Sequence, residues 1–109
     1  MRVAVASSGK DLDAPVDIRL GRCANIVVVD TDTMDFEVYS NPGALAGTGA
    51  GVAAAQVVAD AGAEAVIAGN FGINSLRAFS SGGITAYIGS GTVRQAVEAL
   101  AAGELELVE

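Results

Sequence analysis

The chain has 109 residues, 51% apolar and 5% aromatic, with six basic side chains against thirteen acidic ones and a net charge of −7. That length holds one domain over residues 1–109, and a charged fraction of 17% is too low for a disordered chain. The acidic balance excludes a general duplex-binding protein, which needs a basic surplus to displace counterions.

Arg2-Val3-Ala4-Val5-Ala6 reads as a short buried strand, ended by Ser7-Ser8-Gly9. Residues 10–24 are polar, contain Pro15 and lack periodicity, so they read as an irregular loop. Asn25–Asp30 is a β-branched strand, and Phe36–Tyr39 alternates apolar and polar as an edge strand does; the pair forms an antiparallel hairpin. Asn41-Pro42-Gly43 leads into the glycine-rich run Gly47-Thr48-Gly49-Ala50-Gly51. A helix follows over Val52–Ala61, then a strand at Ala65–Ala68 and a turn at Gly69–Gly72. A second helix spans Ile73–Ser81, a strand Ile84–Ile88, and a last helix Val93–Ala102, capped by Thr92 and closed by Gly103. The acidic tail, Glu104–Glu109, reads as a frayed strand or extended arm.

This order, with right-handed crossovers, predicts a three-layer α/β/α fold on a mixed five-stranded sheet whose second strand is antiparallel to the first. Such a topology gathers the loop 7–24, the glycine run and the turns Gly69–Gly72 and Gly89–Gly91 at one sheet edge, where ligands of open α/β sheets bind. Three helix N-termini are expected there, with partial positive charge, under Lys10, Arg19 and Arg22. The edge therefore suits an anion. Against this, the Gly-x-Gly-x-Gly run also reads as tight packing, and the arginines as partners of Asp11, Asp13 or Asp17. The same three aspartates lack the glycine and terminal glutamate of a calcium loop and read as a solvated acidic loop.

Cys23 is the only cysteine, so no internal disulfide forms; it reads as a small buried hydrophobe or as the one strong soft metal ligand of the chain. The start offers too short an apolar run for a signal peptide, and Gln56, Asp60 and Glu64 interrupt the longest candidate for a span of roughly 20 apolar residues. A cytoplasmic protein is expected, without membrane or nucleic-acid partners. Histidine is absent, which removes the usual general base and every imidazole-based triad or zinc site. The first strand carries no carboxylate for two-metal nuclease chemistry. These residues point to binding rather than to an enzyme.

Several short motifs stand in register with a known family: Leu12-Asp13-Ala14-Pro15-Val16, Leu20-Gly21-Arg22-Cys23, the Ile26–Asp30 strand, Asn41-Pro42, Gly49-Ala50-Gly51 and Val66-Ile67-Ala68-Gly69-Asn70-Phe71-Gly72. In that order the whole chain resembles the dinitrogenase iron–molybdenum cofactor biosynthesis family, which includes NifX, NafY and the C-terminal part of NifB. The resemblance implies a ribonuclease-H-like fold. It also implies a binding or carrier role for an iron–molybdenum or iron–sulfur cluster, with a cluster donor or acceptor as partner and a monomer or weak homodimer as its state. Arg19-Leu20-Gly21-Arg22 stands where members commonly show His-Phe-Gly-Arg, and Thr48 replaces the histidine of Gly-His-Gly-Ala-Gly. The expected cofactor-binding set is therefore Arg19, Arg22, Cys23, Gly47, Gly49, Gly51, Asn70 and Gly72, with Cys23 as metal ligand. A module for a small organic anion or nucleotide, or an interaction domain with a vestigial site, are the alternatives.

Overall fold

The structure, a computed structural model, describes residues 1–45 and 49–108. Gly47 and Thr48 lie outside the described residues. The strands are β1 (Arg2–Ser7), β2 (Asn25–Asp30), β3 (Phe36–Ser40), β4 (Ala65–Ala68), β5 (Thr85–Ile88) and β6 (Glu106–Val108). The helices are α1 (Ala50–Asp60), α2 (Ile73–Gly82) and α3 (Val93–Ala101), with a short 3-10 turn at Pro42–Leu45 before α1.

The sheet runs β3-β2-β1-β4-β5-β6. β2 is antiparallel to β1 over its full length, while β4 is parallel to β1 and β5 parallel to β4, as the crossovers require. The sheet has six strands rather than five. The acidic tail supplies the sixth, pairing antiparallel with β5 through Tyr87 and Leu107. Its alternation of leucine and glutamate is what a half-exposed edge strand needs, but three residues are too few to show that in sequence.

Alternation along β1 divides the core. Ala4 and Ala6 point toward α1 and α2, joining Ala54, Ala55, Val58 and Phe79 in one apolar cluster. Val3 and Val5 point the other way, joining Val93, Ala96, Val97 and Leu100 of α3. Alanine on the first face lets α1 and α2 lie close to the strands; valine on the second fills the space under a single helix. The result is the three-layer α/β/α arrangement expected from the order of elements.

The segment 8–24 is less irregular than its composition suggests. Ser7 bridges Val16, Pro15 bridges Thr92, and Arg19 bridges Asn70. Main-chain bonds fix it at each step: Asp17 N donates to Ala6 O, Val16 N to Gly91 O and Gly69 N to Asp17 O. The segment thus threads across the carboxyl ends of β1, β4 and β5. Long-range pairing of this kind leaves no periodic signal, so it was invisible in sequence.

The start of α3 is closed by its own chemistry. Thr92 accepts from Gln95 N at 3.1 Å while the Gln95 side chain accepts from Thr92 N at 2.9 Å, a complete capping box. Thr92→Ala removes that cap and should cost about 1 kcal/mol, lowering the melting temperature by about 4–8 °C. An unchanged thermal melt would contradict this account.

Candidate functional site

The chain turns left from β1 into the β2–β3 hairpin and later returns on the right as β4, so the sheet changes direction between β1 and β4. A crevice at the carboxyl ends of the strands follows from such a reversal. Here it is a cleft of about 330 Å³ lined by Arg19, Gly21, Arg22, Ala50, Gly51, Asn70, Phe71 and Gly72. Of the residues singled out in the sequence, Arg19, Arg22, Gly51, Asn70 and Gly72 meet in this one place. Lys10 does not line it.

Each wall has a local cause. Arg19 is held over the end of β4 by its bridge to Asn70, and its N–H is taken by the Asp17 carboxylate at 3.0 Å in a tight turn. Gly21 brings the loop onto the first turn of α1: a Cβ there would stand 3.1 Å from Gly51 N. Gly51 brings α1 onto α2, since its Cβ would come within 2.4 Å of Ser75 Oγ. Gly51, of the glycine run, therefore serves tight packing, and in doing so leaves backbone exposed to the cleft. Gly49 begins α1 at φ 79°, ψ 11°, a left-handed conformation that a side chain disfavours.

The helix starts at the cleft differ from the one outside it. Neither Gly49 before α1 nor Gly72 before α2 offers a side-chain cap, and neither helix has an acidic residue in its first turn. Their leading N–H groups carry the positive end of each helix dipole into the cleft mouth. The third N-terminus expected at this edge, that of α3, is unavailable: besides its capping box, Val93 N and Arg94 N donate to Ala14 O and Leu12 O. Two helices face the cleft, not three. The three loop aspartates are also accounted for. Asp11 and Asp17 accept main-chain N–H groups of their own loop, and Asp13 pairs with Arg94 at 3.5 Å. No cluster of three metal-ligating His, Cys, Asp or Glu side chains occurs among the described residues.

Cys23 is not in the cleft. It is fully buried in the cluster under α1 and α2, and its thiol donates to Leu20 O at 3.1 Å. Burial pushes the thiol up from 9.0 to about 11, and the Asp17 charge pushes the same way, against hydrogen bonds from the Ser7 backbone and the Asn41 side chain. As placed, Cys23 is the small buried hydrophobe that its position before a strand suggested.

Sequence reasoning passed over Asn41 as a residue with a task. Its buried Nδ2 donates to Leu20 O, Gly21 O and Cys23 O at 2.9–3.3 Å, and its Oδ1 accepts from Gly43 N at 3.0 Å. One amide thus fixes both the arginine loop and the entry to α1. Its signal was the Asn-Pro pair, which marks a turn but not a long-range contact.

The profile of the dinitrogenase iron–molybdenum cofactor family matches residues 1–103. The chain belongs to that family. The orange protein of Desulfovibrio gigas, solved in its apo form, is 38% identical, with 98% of this chain and 92% of that chain covered and a TM-score of 0.93. A Thermotoga protein described as a NifB candidate is 35% identical, with 97% and 91% covered and a TM-score of 0.83. A dinitrogenase candidate from Methanocaldococcus jannaschii, 18% identical with 100% and 95% covered and a TM-score of 0.71, shares the fold. No curated protein matches significantly. In this member of the iron–molybdenum cofactor family no described helix is long and apolar enough to cross a membrane.

Two measurements check the site. Asn41→Ala removes the side-chain donor to Leu20 O, Gly21 O and the buried Cys23 O and should destabilise the fold by about 2 kcal/mol, with amide exchange rising first in residues 20–23. Cys23 should alkylate far more slowly in the native protein than in urea. Its raised pKa favours the neutral thiol, so its contribution to stability is complete below pH about 9 and is lost as pH climbs toward 11. Across that range wild type should lose a stability that Cys23→Ser does not lose, so the two melts draw together as pH rises, and fast native labelling would show the thiol exposed.

Proposed function

We propose that the chain binds and carries an anionic metal–sulfur cluster, of the iron–molybdenum or iron–sulfur kind, in the cleft between the arginine loop and the starts of α1 and α2. The observation that carries this reading is the joint placement of Arg19, Arg22 and two uncapped helix N-termini around one opening in an otherwise acidic molecule. Membership of the iron–molybdenum cofactor family supports it, as does likeness to a protein described in an apo form, a term that presupposes a bound state.

The donors present fit the anionic character of such a group, not its metal atoms. Arg19 and Arg22 supply guanidinium forks, and the Gly51 and Gly72 regions supply main-chain N–H groups. The only cysteine is buried and protonated, and histidine is absent. The cargo is therefore a cluster that brings its own sulfide or oxo ligands and is held through its charge. Phe71 and the apolar rim suit the polarisable surface of sulfide. Ile18, Ile73 and Val52, among the described residues the three most exposed large hydrophobics at 70%, 65% and 51%, each neighbour a cleft-lining residue. A cluster donor or acceptor is the partner this role implies. Among the described residues the only ionisable side chains lining the cleft are arginines, so we read it as a site for binding and not for acid–base catalysis.

Among the described residues no Cys, His or Met lines the cleft, which also favours a second reading, in which the same cleft takes a small organic anion or nucleotide. Anaerobic reconstitution with iron, molybdate and sulfide decides between them. Wild type and Cys23→Ser should load equally, by visible absorbance and metal analysis. Arg19→Ala and Arg22→Ala should each lose roughly ten- to a hundredfold in affinity, the equivalent of about 1.5–3 kcal/mol for a charge-assisted hydrogen bond. Loading that follows Cys23 and ignores both arginines would refute the site. Failure of every protein to load, with calorimetric binding of a nucleotide, would leave the organic anion as the cargo.

A further inference from the structure

β3 ends the sheet and, among the described residues, hydrogen-bonds to no strand but β2. Asp30 N donates to Asp35 O and Asn41 N to Ala24 O, so these two facing pairs are of the hydrogen-bonded type. Bonded pairs occur at alternate positions of an antiparallel ladder, which assigns Val28/Glu37 and Ile26/Tyr39 to the same type. The N–H and C=O groups of Phe36, Val38 and Ser40 accordingly point away from the sheet. The usual guards of an exposed edge are missing. β3 contains no proline and no lysine, its register with β2 has no bulge, and its only charge, Glu37, is engaged by Arg2 at 3.6 Å and by the Tyr39 hydroxyl. Phe36 and Val38 remain 40% and 36% exposed beside Val29 and Val27, on the face that carries the single helix α3.

We propose that β3 is a self-association edge, where a second copy pairs its own β3 antiparallel about a twofold axis at Val38 and joins the two sheets. The outward-facing residues Phe36, Val38 and Ser40 are symmetric about Val38, so every free donor of one copy meets a free acceptor of the other. On one face Val38 packs on its counterpart, with Phe36 over the second copy's Ser40. On the opposite face Glu37 comes opposite the second copy's Tyr39, a hydroxyl against a carboxylate, and never opposite another Glu37. Antiparallel pairing also sends the acidic start of β3, with Asp30, Asp32 and Asp35, to the far end of the second copy rather than against its equivalent. The other sheet edge lacks this complementarity: β6 is three residues long, and Glu104 and Glu106 charge it with no ion pair among the described residues. This inference is independent of what the cleft holds.

The test is sedimentation equilibrium of the full chain from about 10 μM to about 1 mM. Wild type should form a reversible dimer with a dissociation constant between about 1 μM and 1 mM, the weak range suited to a small interface. Val38→Pro removes one outward N–H at an edge position that tolerates proline, and Val38→Lys sets two ammonium groups face to face. Each should weaken the dimer at least about tenfold, while circular dichroism and melts confirm the fold; if one variant misfolds, the other decides. Ile73→Lys, on the cleft rim, should leave the dimer unchanged. Amide exchange at Phe36, Val38 and Ser40 should slow as concentration rises. A monomer throughout, a dimer that survives both Val38 variants, or one sensitive to Ile73→Lys instead, would overturn the proposal.

Discussion

The structure depends on one short strand-like passage, residues 15–19, laid across the carboxyl ends of β1 and β4. Asp17 N donates to Ala6 O at 2.8 Å and Asp17 O accepts from Gly69 N at 3.1 Å, so a single residue ties both central strands to the loop. Without that stitch, Arg19 would have no fixed relation to Asn70 or to the start of α2. With it, the long segment after β1 becomes a third side of the cleft, at a place where the sheet topology already opens a crevice.

Two further constraints follow from close backbone approach. Gly21 against Gly51, and Gly51 against Ser75, bring loop, α1 and α2 nearer than side chains allow. The starts of both helices are thereby bare, and their N–H groups have no side-chain cap. α3 shows the contrasting solution. Its start is buried under the same loop and is closed by Thr92 and Gln95. An uncapped helix start costs stability; two of them stand at one opening beside two arginines, which is the arrangement that the proposed anion site uses.

The buried thiol limits the chemistry of this opening. A thiolate is the ordinary protein ligand of iron–sulfur clusters, but Cys23 sits beneath the arginine loop with its proton held by burial. It serves the loop from below, through Leu20 O and beside Asn41. In the iron–molybdenum cofactor family to which the chain belongs, the proposed function has this member hold its ligand through charge and main-chain donors rather than through bonds to metal.

The sequence by itself determined the order of elements, the antiparallel β2, the capping of α3 by Thr92 and the gathering of glycines and arginines at one sheet edge. Each of these rests on local signals: β-branched runs, a threonine before a helix, glycine after one, and the handedness of crossovers. The tertiary structure alone decided the rest. The sixth strand needed β5 as a template, because three residues carry no stable strand preference of their own. Beyond its own capping box, the start of α3 is covered by the loop carbonyls of Leu12 and Ala14, which only the tertiary structure brings there. The burial of Cys23, and the role of Asn41 in holding the loop above it, arose from contacts between residues some twenty positions apart. Periodicity and propensity report on neighbours in the chain; which side chain faces a cleft and which faces a core is settled by long-range packing.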